Sequence, residues 1–204
     1  MSFEITTLRA STMSGVTVHH TFIKHHPESS KLLVIMPGRG YTSEQPVLYY
    51  LRRAAVDLGY DVLSLTYSFQ VAPETFNMMN LPVEVADALD LVNVEGYQRA
   101  VFAGKSLGTP LAFSQLSHYS VPDRRLLLLT PIGDITDDPG DIPTLAIIGT
   151  ADRYYSPELV KKSPANVQWK VFDGLSHALE DRHDWVNSIR ALGEITAACA
   201  EFLK

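Results

Sequence analysis

A serine between two glycines is the most informative feature of the sequence. Gly104, Ser106 and Gly108 form the pattern G-x-S-x-G, which follows the apolar run RAVFAG (99–104) and precedes a helical pattern. A sharp turn from strand to helix would lift the Ser106 hydroxyl above a sheet, and side chains at the two glycine positions would collide with neighbouring chain. The same turn would leave the backbone N–H of Leu107 at a helix start, where a developing oxyanion is favoured. The pattern predicts an exposed nucleophile.

Two downstream residues could make this serine reactive, because a serine hydroxyl needs a base that is itself oriented by an acid. Asp152 follows the apolar run TLAIIG (144–149), and His177 follows the apolar run VQWKVF (167–172). The carboxyl ends of parallel strands meet at one edge of a sheet, so Ser106, Asp152 and His177 are predicted to meet there. Four aspartates after the preceding apolar run stay open as the acid instead: Asp134, Asp137, Asp138 and Asp141.

Each of these residues also has a simpler interpretation. Ser106 could be a helix N-cap, Asp152 could cap a short segment over 156–162, and His177 could be a structural histidine. All three would then follow suitable strands by coincidence, so we favour the catalytic interpretation. A phosphate-binding loop ending in Gly-Lys-Ser is excluded, because it needs a glycine five residues before Gly104 and Arg99 stands there.

Short apolar runs alternate with longer helical patterns along the chain. Six compact runs predict buried strands over residues 31–36, 61–67, 99–104, 125–130, 144–149 and 167–172. Residues 3–10 and 15–24 are rich in β-branched side chains and predict an antiparallel pair. Amphipathic spacing predicts helices over 44–58, 82–92, 106–118 and 185–202. Strands that alternate with helices pair in parallel, so we predict a doubly wound α/β fold in one domain, residues 1–204.

The last helix pattern and one connection add two further expectations. The helix carries an apolar stripe that we expect to be buried: Trp185, Ile189, Leu192, Ile195, Cys199 and Phe202. Cys199 lies within that stripe and is expected to be a small core side chain rather than a nucleophile. The connection over residues 131–143 is rich in proline and glycine, which leaves little room for a helix. We therefore expect a short loop there and no lid.

Composition limits the classes of partner and compartment. The chain has 204 residues, of which 46% are hydrophobic, and its net charge is −6. The apolar content argues against disorder, and the acidic balance argues against nucleic acid as a partner. One cysteine permits neither an internal disulfide nor a cysteine-rich zinc site. The N-terminal segment lacks a signal-peptide pattern, and no run approaches the about 18 apolar residues of a membrane span. A cytoplasmic protein without membrane partners is expected.

From about Lys31 to Phe202 the sequence resembles the α/β-hydrolase family, and it is most similar to compact dienelactone-hydrolase-like and carboxylesterase-like members. The resemblance is carried by GKSLG (104–108), IIGTAD (147–152), GLSHALED (174–181) and the order serine, aspartate, histidine. It implies a mostly parallel sheet with antiparallel first strands, helices on both faces and no cap domain. It also implies hydrolysis of a small carboxylic ester or thioester through an acyl-enzyme on Ser106. His177 would act as base and then acid, and Asp152 would orient it.

The resemblance further implies where the oxyanion and the substrate would bind. The second oxyanion donor of the family lies in the loop that here reads MPGRGY (36–41), so we expect the Arg39 backbone N–H, with Gly40 next. Pro37 stands where histidine is frequent in the family. Six residues in loops at the carboxyl edge are expected to line the substrate site: Gly40, Tyr41, Tyr67, Lys105, Arg153 and Tyr154. Lys105 could instead be a lysine in a structural salt bridge or an exposed lysine.

No cofactor and no metal are expected. His19 and His20 are adjacent on a predicted strand and point to opposite faces, so they cannot easily share a metal ion. A homodimer stays open, since nothing in the sequence decides the oligomeric state. A second hypothesis is a hydrolase-like scaffold that binds a ligand or a protein through a misaligned triad, because a fold alone does not fix a function.

Overall fold

One sheet runs through the part of the chain that the computed structural model describes, residues 2–133 and 140–204. Its strands are β1 (Ser2–Ser11), β2 (Thr17–His26), β3 (Lys31–Met36), β4 (Asp61–Ser64), β5 (Arg99–Lys105), β6 (Asp123–Leu129), β7 (Thr144–Gly149) and β8 (Val167–Phe172). They lie in the order β1-β2-β4-β3-β5-β6-β7-β8. The strands from β3 to β8 pair with one another in parallel, whereas β2 pairs antiparallel with both of its neighbours, β1 and β4.

Helices cover both faces of this sheet. In the described ranges the α-helices are α1 (Pro46–Asp57), α2 (Ser68–Val71), α3 (Leu81–Leu89), α4 (Gly108–Leu116), α5 (Pro157–Lys162) and α6 (Trp185–Leu203). Side chains alternate between the faces along each strand. In β5, Ala100 and Phe102 belong to the apolar layer that contains α3 and α4, whereas Val101 and Ala103 belong to the layer with α1 and α6. Strands buried on both faces explain why these runs are apolar throughout.

The predicted strands and their pairing are confirmed, with small changes at their ends. β1 and β2 form a ten-residue antiparallel ladder. β4 ends at Ser64 rather than at residue 67. The backbone N–H of Leu65 still donates to Ile35 O of β3 (3.0 Å), but that of Thr66 donates to the His20 ring (3.1 Å) rather than to a backbone carbonyl oxygen. β6 begins at Asp123, which accepts hydrogen bonds from Arg99 and Arg125.

The predicted stripe on α6 is buried only over its second half. Ile195 and Cys199 are buried, but the side chains at the helix start are exposed, with Trp185 at 73% and Ile189 at 61%. The first turns of α6 lie beside Pro46 at the start of α1, where a groove stays open between the two helices. The expectation for Trp185 and Ile189 was therefore wrong, because this groove leaves their side chains facing solvent.

The connection between β6 and β7 is irregular where the structure describes it. Residues 131–133 and 140–143 form neither helix nor strand, and the rest of the expected loop lies outside the described residues.

No helix in residues 2–133 and 140–204 combines the length and the apolar character that crossing a membrane requires.

Candidate active site

The turn that follows β5 presents Ser106 at the carboxyl edge of the sheet. Ser106 has a positive φ of 52°, and its backbone N–H donates to Leu129 O in the neighbouring strand (2.9 Å). A Cβ atom on Gly104 would lie 2.6 Å from the Cα of Thr109, and one on Gly108 would lie 2.9 Å from the Pro37 carbonyl oxygen. Real Cβ atoms do not approach backbone that closely, so both glycines are required for the turn, as the sequence predicts.

Gly108→Ala should lower the free energy of unfolding by about 3 kcal/mol, because the added methyl group overlaps backbone carbonyls that cannot move aside easily. Denaturant unfolding measures this change. Gly193→Ala is the matched control: Gly193 lies in α6 with open space around it, and alanine there should stabilise by up to about 1 kcal/mol. Equal stabilities of wild type and Gly108→Ala would contradict the requirement for glycine.

The structure brings Ser106, His177 and Asp152 together in a continuous line of hydrogen bonds. His177 Nε2 lies 2.7 Å from Ser106 Oγ, and His177 Nδ1 lies 2.7 Å from Asp152 Oδ2. Both distances are typical of hydrogen bonds that include a charged or strongly polarised group. The His177 side chain is 29% exposed, so a molecule from solvent can reach it, whereas the Asp152 side chain is fully buried. Three residues from three different loops therefore meet at this edge.

Asp152 is held as a buried carboxylate. Burial opposes its ionisation, but the hydrogen bonds from His177 and from the Tyr154 backbone N–H (3.0 Å), with the nearby charge of Lys105, outweigh burial and keep its pKa below the usual range. It does not cap α5, because Ser156 occupies the N-cap and accepts from the Leu159 N–H (3.1 Å).

Of the other aspartates that stayed open as the acid, only Asp141 lies in the described part of the chain. Asp141 is exposed, and His177 Nδ1 already faces Asp152. The remaining three, Asp134, Asp137 and Asp138, lie outside the described residues.

Among the described residues, the backbone N–H groups near Ser106 that have no acceptor include those of Leu107, Arg39 and Gly40. Leu107 stands immediately before α4, where helix geometry leaves such donors unpaired. The loop that carries Arg39 is close to the nucleophile, because a Cβ atom on Gly38 would lie 3.4 Å from the Ser106 Cβ. The assignment of Leu107 and Arg39 as oxyanion donors, with Gly40 next, stays a prediction.

Solved structures resemble this chain over nearly its whole length. A candidate α/β hydrolase of unknown function from Agrobacterium tumefaciens matches 97% of this chain and 94% of its own, with a TM-score of 0.74 and 17% identity. Est1E from Butyrivibrio proteoclasticus, also solved with ferulic acid bound, matches 97% of both chains (TM-score 0.71, 15% identity). An α/β serine hydrolase without lid from Xanthomonas campestris matches 96% of this chain and 94% of its own (TM-score 0.67, 17% identity). No protein-family model and no curated protein matches the sequence.

The chain has the α/β-hydrolase fold. In this fold the line from Ser106 through His177 to Asp152 occupies the loops that follow β5, β8 and β7. The fold expected from the sequence is thereby confirmed, including its antiparallel first strands.

Four of the residues expected to line a substrate site of this α/β-hydrolase fold are accessible. Gly40, Arg153 and Tyr154 are exposed, and Tyr41 is half-buried. The Tyr154 ring lies 5.3 Å from the His177 ring, and the Arg153 guanidinium stacks on Tyr154 at 4.8 Å. These contacts give the edge beside His177 an aromatic side wall.

The other two residues expected to line that site, Tyr67 and Lys105, are each only 1% exposed. Tyr67 stacks on Phe69 in the core (ring centroids 5.4 Å apart), so its ring offers no surface to a bound molecule. The Lys105 side chain points away from solvent, and its ammonium group donates to Thr130 Oγ1 (2.6 Å) and to the carbonyl oxygen of His177 (2.7 Å). Neither residue lines the open surface.

Three residues that were not predicted from the sequence contact the segments around Ser106, namely Gln70, Phe76 and Thr130. Gln70 donates to the Gly38 carbonyl oxygen (3.3 Å), and Phe76 packs under the Arg39 guanidinium at 4.1 Å. Thr130 directly follows the apolar run of β6, and a polar residue at that edge was a signal that could have identified it. No comparable pattern marks Gln70 or Phe76.

Metal ligands do not cluster in the described part of the chain. No group of three or more histidine, cysteine, aspartate or glutamate side chains there is arranged to hold a metal ion.

Proposed function

We propose that this protein is a serine hydrolase that cleaves small carboxylic esters or thioesters through an acyl-enzyme on Ser106. The observation that carries the proposal is the pair of 2.7 Å contacts that joins Ser106 Oγ to His177 and His177 to Asp152. Such an arrangement supplies a nucleophile, a base and a group that orients the base. The α/β-hydrolase fold supports the same reaction class, since structures described as esterases and serine hydrolases share it.

The positions of the protons follow from the acceptors. Asp152 Oδ2 is a carboxylate oxygen that can only accept, so the proton of neutral His177 resides on Nδ1. Nε2 is then free to accept the Ser106 hydroxyl proton as Oγ attacks the carbonyl carbon. The imidazolium that then forms is stabilised by the negative charge of the buried Asp152 carboxylate beside it. It then donates the Nε2 proton to the leaving alcohol or thiol.

The tetrahedral intermediate would place its negative oxygen near the free N–H groups of Leu107 and Arg39. Collapse of this intermediate expels the leaving group and leaves the acyl group on Ser106. Water, deprotonated by His177, then attacks the acyl-enzyme and releases the acid. Each oxyanion donor of this kind contributes about 100- to 1000-fold to the rate.

The surroundings of His177 favour an acyl or leaving group that packs on aromatic rings. The Tyr154 ring lies beside the imidazole. Arg39, in the loop of the expected second oxyanion donor, stacks its guanidinium on the Phe76 ring. Est1E, which shares the fold, has been solved with ferulic acid bound, an aromatic acid. Aryl esters and esters of aromatic acids are therefore the first compounds to test.

Covalent labelling with a fluorophosphonate tests the proposal directly. Wild type should take up one label per chain on Ser106, located by fragmentation of the tryptic peptide that begins after Lys105. Ser106→Ala should take up none. Ser117→Ala is the matched control because Ser117 lies just after α4 and its hydroxyl donates to the Ser114 carbonyl oxygen, away from His177, so its labelling should equal that of wild type.

The same samples are assayed with aryl acetate, aryl butyrate, a methyl ester of ferulic acid and an acyl thioester. Hydrolysis of at least one of them at a rate that tracks the label would support the proposal. Absence of label on folded wild type, together with no hydrolysis, would instead favour a binding protein on a hydrolase scaffold.

A further inference from the structure

Lys105, the residue immediately before Ser106, is a charged side chain in the interior. Its side chain is among the largest that are fully buried, at 1% exposure. A buried ammonium group is costly unless its donors are satisfied. It makes no ion pair within 4 Å of a carboxylate in the described ranges, so it is neither an exposed lysine nor half of a salt bridge there. Another reason must account for a lysine at this position.

The contacts of the Lys105 ammonium group link three segments of the site. It donates to Thr130 Oγ1 after β6 (2.6 Å) and to the carbonyl oxygen of His177 after β8 (2.7 Å). Its third side faces the ring of Tyr41 at 4.9 Å, in the loop that also carries Arg39. Lys105 is itself bonded to Ser106 through the backbone. The ammonium group of the residue next to the nucleophile therefore contacts both the loop that carries His177 and the loop that carries Arg39.

Backbone strain is concentrated around the same group. Three non-glycine residues in the described ranges have positive φ: Ser106 (52°), Thr130 (44°) and Leu179 (64°). Such conformations cost about 1–3 kcal/mol each and persist only where surrounding contacts hold them. Lys105 precedes the first, bonds to the side chain of the second and binds the His177 carbonyl two residues before the third. Its hydrogen bonds are placed where they can hold these conformations.

We infer that Lys105 is a positioning residue, which fixes the loop of His177 so that the imidazole stays in line between Ser106 Oγ and Asp152. This inference rests on the proposed function, because it concerns the same three residues. Lys105 does not touch the substrate; it acts through the carbonyl group of His177. A shift of about 1 Å in a base of this kind lowers the rate by about 100-fold.

The charge of Lys105 makes this effect depend on pH. The groups that face it are Asp152 after β7, His177 and Glu180 after β8, and Tyr41 after β3. Burial lowers the pKa of Lys105 to about 8, although Asp152 and Glu180 attract its charge, and burial raises the pKa of Tyr41 to about 12. Above about pH 8 Lys105 therefore loses its charge, whereas Tyr41 stays neutral up to about pH 12. Its hydrogen bonds then weaken, since bonds from charged donors are about twice as strong as neutral ones.

The test compares wild type with Lys105→Met in aryl-ester hydrolysis across pH 6 to 10. We expect kcat of Lys105→Met to be lower by about 10- to 100-fold with KM within about threefold of wild type. We also expect a decline in wild-type kcat above about pH 8 that is missing in Lys105→Met. Lys31→Met is the matched control, since Lys31 also donates to a backbone carbonyl oxygen (Leu58) and also faces a tyrosine ring, at the opposite edge of the sheet. It should keep wild-type kcat.

A second measurement does not need turnover. The proton on His177 Nδ1, in its 2.7 Å bond to Asp152, should give a sharp far-downfield proton resonance in wild type and in Lys31→Met. We expect this resonance to broaden through exchange with water in Lys105→Met. If wild type neither hydrolyses esters nor takes up a fluorophosphonate, the proposed function fails, and this resonance still decides the role of Lys105.

Two results would overturn the inference. One is a folded Lys105→Met protein whose His177 resonance is unchanged and whose kcat is within twofold of wild type. The other is the same loss of kcat in Lys31→Met. If Lys105→Met does not fold, Thr130→Val removes only the hydroxyl that accepts from Lys105 and should lower kcat by about threefold to tenfold. Unchanged kcat in folded Thr130→Val would then overturn it.

Discussion

Replacing Ser106 by alanine should lower kcat for a small aryl ester by about 10⁴-fold or more. The hydroxyl is the only group of Ser106 that could attack a carbonyl carbon, and its 2.7 Å bond to His177 Nε2 is the route by which the proton leaves. Without the hydroxyl, the residual rate comes from water and from the oxyanion donors alone. The measurement is the initial rate of release of a chromogenic phenol at saturating ester.

The fold should tolerate this change, because alanine removes one atom that is bonded only to His177 in the described structure. Serine and alanine both carry a Cβ atom, so the positive φ of 52° at position 106 costs about the same in both proteins. The free energy of unfolding should therefore change little. Ser117→Ala, outside the site, should retain the wild-type rate. A Ser106→Ala protein that hydrolyses the ester as fast as wild type would show that another group is the nucleophile.

The positions of the three candidate catalytic residues could be predicted because each follows a strand of a parallel sheet. Once the apolar runs before Ser106, Asp152 and His177 are assigned as parallel strands, their carboxyl ends must meet at one edge. The glycines at 104 and 108 follow from the same turn, and the structure shows the backbone contacts that require them. The sequence therefore contains the order of the elements and the edge of the site.

The burial of individual side chains at that edge could not be predicted in the same way. Lys105 is in a segment that reads as a loop, and its burial depends on acceptors from Thr130 and His177, which are distant in sequence. Trp185 and Ile189 have the same spacing as the buried positions of α6. Periodicity identifies a helix face but does not say where along the helix the covering layer ends.

Asp152→Asn should lower kcat by about 10³- to 10⁴-fold with little change in KM. Asp152 Oδ1 accepts from the Tyr154 N–H (3.0 Å), which fixes the amide oxygen of asparagine at that position. The amide nitrogen then replaces Oδ2 and faces His177 Nδ1 as a donor. Nδ1 must therefore be the unprotonated nitrogen, the proton moves to Nε2, and the imidazole can no longer accept the Ser106 proton.

The same substitution at the other aspartates decides which carboxylate is the acid. Asp141→Asn should leave kcat unchanged, because Asp141 is exposed and His177 Nδ1 faces Asp152 instead. Single asparagine variants of Asp134, Asp137 and Asp138 complete the set. A larger loss of kcat in any of these four than in Asp152→Asn would assign the acid to the connection between β6 and β7. Since the amide keeps the size of the carboxylate, a difference in kcat without a difference in unfolding free energy reports the tautomer of His177 rather than the stability of the fold.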